Sequence, residues 1–215
     1  MDEWIARLFA NPEMLRMGHC QRAEDGNLGM GWIYYALGRL LRPSRAVVIG
    51  SYRGFTPIVL GKALADNRGD GEVWFIDPSL ADDFWRDPET VAAHFATYGV
   101  RNVRHFRMTT QEFVASEHYR ALGAVDLLLV DGWHTEEQAE FDYDAFAAKL
   151  TATSITLFHD SVQMDVSPMY GAERAYTCTV RRFIDRLKRR PDLQVLDLPL
   201  GPGLTLVRKA ELPAA

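Results

Sequence analysis

Residues 47–57 read VVIGSYRGFTP. An apolar run stops at Gly50, and Gly54 is followed by Thr56 and Pro57, residue types suited to the cap and first turn of a helix. The stretch therefore predicts a buried strand, "RAVVIG", turning sharply into a helix, "PIVLGKALADN". Gly50 and Gly54 allow a tight turn and close approach of backbone to a ligand, and the free N–H groups of the helix start offer donors to an anionic group.

The same alternation continues in both directions. Upstream, "GWIYYALGRLL" places Ile33, Leu37, Leu40 and Leu41 at helical spacing and ends at Pro43-Ser44. Downstream, "GEVWFID", "NVRHFRM", "VDLLLVD" and "SITLFHD" read as four further strands. A helix begins at Asp87-Pro88 and runs to about Gly99, and another, "AEFDYDAFAAKL", follows Thr135 and Gln138 at capping-box spacing. "LQVLDLPL" and "GLTLVRK", joined through Gly201-Pro202, predict a closing hairpin. Strands separated by helices need crossover connections, so the fold class is α/β, a doubly wound, seven-stranded, mostly parallel sheet with a C-terminal antiparallel hairpin. With 215 residues, 47% of them hydrophobic, the chain reads as one domain spanning 1–215. Residues 1–41 form a helical cap region and 42–215 the core.

Composition narrows the partners. A formal charge of −5 disfavours a nucleic-acid partner, and the one dense basic run, "RRFIDRLKRR" at 181–190, reads as the solvated face of a helix that turns Phe183, Ile184 and Leu187 inward. Cys20 and Cys178 stand in no metal or redox spacing. Together with the lack of a leader-like or membrane-spanning apolar run, this makes a cytoplasmic protein without a membrane partner the expectation, with homo-oligomerisation left open.

In open α/β sheets ligands bind beyond the carboxyl ends of the strands. Asp77 ends the second strand and is suited to accept hydrogen bonds from two ribose hydroxyls, so the glycine loop and Asp77 together point to a nucleoside cofactor. The dinucleotide pattern G-x-G-x-x-G is missing, since residue 52 is Tyr, which favours a cofactor without a pyrophosphate. Asp131 ends the most apolar strand, where a carboxylate is costly unless it is used.

These segments, in order, resemble the class I S-adenosylmethionine-dependent methyltransferases, and within them the small-molecule O-methyltransferases of the catechol and macrolide-sugar types. "GSYRGFT" resembles their glycine loop, "FIDP" their ribose-binding strand end, "MTTQEF" their adenine loop and "VDGWH" their segment with a metal-ligand Asp, a Trp and a basic residue near the transferred proton. "LFHDSV" is similar to the next strand end, which supplies further metal ligands, and "GPGLTLVRK" to their closing hairpin. The resemblance implies methyl transfer from S-adenosylmethionine to a hydroxyl of a small molecule such as a sugar or phenol. It implies that Gly50, Ser51, Tyr52, Gly54, Asp77, Thr110, Gln111, Asp131 and Trp133 hold the cofactor. His134, with an ordinary pKa near ~6.5, is the implied base beside Asp131, and Asp131 with Asp160 would hold Mg2+.

Two departures accompany the match. Val48 stands where the family has a Glu that meets the cofactor's amino end, leaving backbone of "GNLGMG" (26–31) as a replacement, and Ser161 stands where the catechol type has a third metal ligand, for which His159 could substitute. The alternatives are a non-catalytic nucleoside-binding or scaffold module and a nicotinamide-dependent oxidoreductase. Thr109 and Glu112 also have plain capping-box spacing. Met164, Met169, Tyr170 and Tyr176 are expected to line the acceptor side, and His19, His94, His105 and His118 read as surface or satisfied residues.

Overall fold

The computed structural model describes residues 1–16 and 18–210; Met17 and residues 211–215, part of the expected 1–215 domain, lie outside the described residues. Five parallel strands form the centre of the sheet: β1 (Arg45–Ile49), β2 (Glu72–Ile76), β3 (Val103–Phe106), β4 (Val125–Val130) and β5 (Leu150–His159). A short antiparallel pair, β6 (Val166–Ser167) with β7 (Tyr176–Thr177), stands apart from it, and the hairpin β8 (Leu193–Leu198) and β9 (Leu204–Lys209) closes the edge. The order across the large sheet is β3-β2-β1-β4-β5-β9-β8, with β9 antiparallel to β5. The seven-stranded, doubly wound arrangement read from the sequence is the one observed.

The inner strands β1, β2 and β4 are apolar on both faces because each face is covered. Val48, Phe75 and Leu129 join one core with α1 (Asp2–Phe9), α2 (Gly31–Leu41), α3 (Phe55–Asp66) and α4 (Pro88–Thr97). Val47, Trp74, Leu128 and Val130 join the other with α5 (Thr110–Ala115), α7 (Glu136–Ala147) and α8 (Val180–Leu187). This two-sided burial is what a parallel sheet requires, and it explains the runs "AVVI" and "LLLV". α6 (Glu117–Ala121) connects α5 to β4.

Two local expectations change. The inward stripe of α2 runs through Gly31, Tyr34 and Gly38, flanked by half-buried Ile33, Leu37 and Leu41, which leaves Leu40 outside at 78% exposure. The N-cap of α3 is Gly54, at φ +81, and Thr56 is already helical. The basic helix behaves as read: Phe183, Ile184 and Leu187 are buried, while Arg186 pairs with Glu140 and Glu136, Lys188 with Asp185 and Asp197, and Arg190 with Asp192.

The winding of the sheet reverses between β1 and β4, and there the two strand ends touch. Gly50 has φ +70, and a Cβ on it would lie 2.4 Å from Cα of Gly132 and 2.5 Å from the carbonyl oxygen of Asp131. Backbone hydrogen bonds from Gly50 to Ile76 (2.8 Å) and from Asp131 to Ile49 (2.8 Å) fix the three strand ends together. Gly50→Ala therefore combines left-handed strain with a backbone collision, and urea unfolding is expected to show a loss of at least about 2 kcal/mol. A loss below about 0.5 kcal/mol would mean the strand ends are not held this closely.

Candidate active site

A cleft opens over the carboxyl ends of β1, β2, β4 and β5, at the point where the strand order switches and such sheets bind ligands. Gly50, Ser51, Tyr52, Asp77, Thr110, Gln111, Asp131, Trp133, His134 and Asp160 all line it.

On the β1–β2 side Asp77 organises the glycine loop. One carboxylate oxygen accepts the N–H of Ser51 (3.2 Å) and the other that of Ser79 (2.8 Å). Burial pushes the Asp77 pKa up to about 6, against the pull of these two bonds. Tyr52 sits in the left-handed region at φ +42, its carbonyl held by Trp85 Nε1 (2.7 Å) and its hydroxyl donating to Glu13 (2.8 Å). Gly54 does not face the cleft; a Cβ there would meet the Trp85 ring at 3.0 Å, so this glycine serves the loop's packing. Val48 is wholly buried in β1, and "GNLGMG" lies behind the site, with Met30 donating to the carbonyl of His19 (2.7 Å). None of residues 26–31 is among the residues that line the cleft.

The adenine-side residues divide. Thr109 and Glu112 form a complete capping box for α5, and Gln111 donates to Gln138 (3.0 Å). Thr110 is buried beside the cleft. Trp133 stacks on Tyr176 (centroids 4.4 Å apart) and on Tyr170 (4.9 Å), so the 161–179 segment is tied to β4's end by aromatic contact. Met169, Tyr170 and Tyr176 are in the cleft wall, whereas Met164 is exposed outside it.

At the ends of β4 and β5 five titratable side chains converge. His134 Nδ1 lies 2.8 Å from Asp160 Oδ2, and its Nε2 is 3.5 Å from Asp131 Oδ1. His159 Nδ1 is 3.0 Å from Asp131 and 3.1 Å from Asp160. The fifth is His19, 3.5 Å from Asp131 Oδ2, which the sequence did not mark for the site. Burial alone would raise Asp131, but His159 and its imidazole neighbours hold it well below the carboxylate range. Burial works against the charged form of His134, yet Asp131 and Asp160 hold it well above the usual imidazole range. Burial, reinforced by repulsion from His159, pushes His19 down to about 3. Asp160 stands at φ +50, a left-handed conformation for a non-glycine residue of the kind that collects at functional sites.

The oxygen-rich Mg2+ site expected at Asp131 and Asp160 does not fit this arrangement. Two donor groups form, His19-Asp131-His159 and His134-His159-Asp160, which separate the two carboxylates and give each a pair of imidazoles. Ser161 turns away to Thr205 (2.8 Å). The remaining histidines are satisfied elsewhere, His94 on the carbonyl of Arg53 (2.9 Å), His105 on that of Asp77 (3.1 Å) and His118 against the Phe106 ring.

Asp142 was also missed. It sits on the buried stripe of α7 with Ala139, Tyr143 and Phe146, lines the cleft, and leaves Oδ2 without a hydrogen-bond partner while Oδ1 accepts from Gln138 (2.7 Å). A carboxylate on an otherwise apolar helical stripe is a signal the sequence does contain.

The sequence profile of the "Methyltransferase domain" family matches residues 47–161. A protein of Sinorhizobium fredii is 30% identical over 148 residues, 66% of this chain; the chain spans only 15% of that relative's length. A Corynebacterium glutamicum protein superposes with TM-score 0.68 at 19% identity, covering 100% of this chain and 93% of that one. The O-methyltransferase TomG of Streptomyces achromogenes, involved in tomaymycin synthesis and solved with S-adenosylmethionine, gives 0.67 at 20% identity, covering 97% and 90%. An O-methyltransferase of Bacillus cereus with S-adenosylhomocysteine gives 0.63 at 13%, covering 97% and 92%. Among the described residues no helix is long and apolar enough to cross a membrane.

Burial lifts the Asp142 pKa from 3.8 to about 6. The folded state therefore binds that proton more tightly than the unfolded chain, and stability drains away as pH rises between these values. Asp142→Asn should unfold like wild type near pH 4, gain relative to it up to pH 6, and level off at about 2–3 kcal/mol above. A difference constant from pH 4 to 8 would show that Asp142 carries no such penalty.

Proposed function

This chain belongs to the methyltransferase-domain family, and we propose that it transfers the methyl group of S-adenosylmethionine to a hydroxyl of a small molecule. The observation that carries the proposal is the strand-end arrangement itself: Asp77 braced against the glycine loop on one side of the crossing, and Asp131 with His134 on the other.

The residues suit this cofactor. Asp77 keeps lone pairs for two ribose hydroxyls, and the orphaned Oδ2 of Asp142, beside Thr110 and Gln111, offers an acceptor to an exocyclic amine of the base. Ser51 and Tyr52 would flank the methionine part, and Trp133, with Gly50 behind it, would close the base and sulfur side. S-adenosylmethionine supplies, when bound, a methyl group already activated for displacement by its sulfonium. What is left to the chain is alignment of an acceptor oxygen and removal of its proton. Met169, Tyr170, Tyr176 and Trp133 provide an apolar wall for the acceptor. Asp131 and Asp160 favour the charged form of His134, so the ring would take the acceptor's proton only after losing its own, and Asp160, 2.8 Å from its Nδ1, would orient the ring and stabilise the imidazolium that results. The solved O-methyltransferases of S. achromogenes and B. cereus support the choice of oxygen as acceptor.

The direct test is ligand-dependent stability. S-adenosylhomocysteine should raise the melting temperature, by the equivalent of about 2.7 kcal/mol at 100 times its Kd, and NAD should not. Asp77→Ala should weaken S-adenosylhomocysteine by about 1.5–3 kcal/mol in a calorimetric titration. Stabilisation by NAD alone, or an affinity indifferent to Asp77→Ala, would end the assignment.

A further inference from the structure

We propose that His19, Asp131 and His159 form a site for a divalent transition-metal ion of the Zn2+, Co2+ or Fe2+ class. The three side chains come from separate parts of the chain, the segment after the first 3-10 turn and the ends of β4 and β5. Their donor atoms all lie within 4.8 Å of one another. Two contacts set the scale: His159 Nδ1 to Asp131 Oδ1 is 3.0 Å and His19 Nε2 to Asp131 Oδ2 is 3.5 Å. Ligands held at about 2.0–2.2 Å from a common ion stand about 3–4 Å apart, so these spacings match neighbouring vertices of one coordination shell.

Hydrogen bonding does not account for the cluster. His159 is 2% exposed, and neither of its ring nitrogens has a hydrogen-bond partner, although Asp131 and Asp160 carboxylates lie about 3 Å away. His19 is oriented from behind: its Nδ1 is 3.1 Å from the hydroxyl of buried Tyr34, whose own proton is directed to the sulfur of Met30. With Tyr34 on Nδ1, Nε2 is the ring atom turned to the carboxylate of Asp131, 3.5 Å away. At 3.5 Å this pair is too long for a good hydrogen bond and spaced as two ligands of one ion are. An outer partner on the far ring nitrogen is the usual way a ligating histidine is fixed, and Thr56 Oγ1, 3.5 Å from Asp131 Oδ2, plays the matching part for the carboxylate.

Two imidazoles and one carboxylate select the metal. This set suits borderline divalent transition ions, whereas Mg2+ holds oxygens and sheds water reluctantly. Removing Asp131 to this site leaves His134 paired with Asp160, so metal binding and proton acceptance use different rings.

The test needs neither cofactor nor acceptor, and so separates failure of this site from failure of the methyl-transfer proposal. Chelator-stripped full-length protein is dialysed against Zn2+ or Co2+, with metal content measured by mass spectrometry and Co2+ followed by its visible absorption. The expected result is one ion per chain, undisturbed by a large excess of Mg2+, with an absorption spectrum unlike that of hydrated Co2+. His19→Ala and His159→Gln should lower affinity at least about 100-fold and Tyr34→Phe about 10-fold, while His118→Gln leaves it unchanged. Circular dichroism checks that each variant is folded; if His159→Gln is not, His19→Ala and Tyr34→Phe decide. No stoichiometric ion, an ion displaced equally well by Mg2+, or one retained by folded His19→Ala would overturn the proposal.

Discussion

The contact between Gly50 and the backbone of Asp131 and Gly132 is the constraint on which the rest of the structure depends. A parallel sheet brings the ends of β1 and β4 side by side where the winding reverses, and a missing Cβ lets them meet. Once they do, the loop after β1 has one way to turn, into the N-terminus of α3, and the carboxylate of Asp131 has one place to point, into the cleft. Asp77 then holds the loop against the end of β2 through its bonds to Ser51 and Ser79.

Electrostatics sets the character of the cleft's other half. Asp131 is buried among His19, His134 and His159, so its charge persists only because the surroundings supply positive partners. Such a network is costly to assemble and is not needed by the sheet, whose two faces are closed by apolar side chains. Its position at the strand ends, beside an aromatic wall stacked on Trp133, is what a site for proton and group transfer requires.

The fold was legible because the inner strands, covered on both faces, leave unbroken apolar runs, and because Gly, Pro and capping residues punctuate the turns. Gly50 and Gly54 were read as allowing a tight turn and the close approach of a ligand, and their missing Cβ atoms also make room for Gly132 and Trp85, contacts that only the tertiary structure shows. Leu40 was misplaced since α2 buries a narrow stripe built on Tyr34 and Gly38. His19 was illegible in principle, because nothing local distinguishes it and only the tertiary path of the N-terminal segment carries it to Asp131. Asp142 was legible and overlooked: its place on the stripe of Ala139, Tyr143 and Phe146 marks a buried carboxylate that packing alone does not explain.

In this reading one cleft at the β1–β4 crossing holds both the methyl donor and the imidazole-carboxylate cluster that acts on the acceptor. A crystal grown with S-adenosylhomocysteine and Co2+, with diffraction recorded at the cobalt edge, tests it most directly. The account predicts the ribose on Asp77, the thioether sulfur facing the Asp131 cluster, and a single anomalous peak among His19, Asp131 and His159. A nucleoside bound elsewhere, or in this cleft with its sulfur turned away from Asp131 and His134, would contradict it.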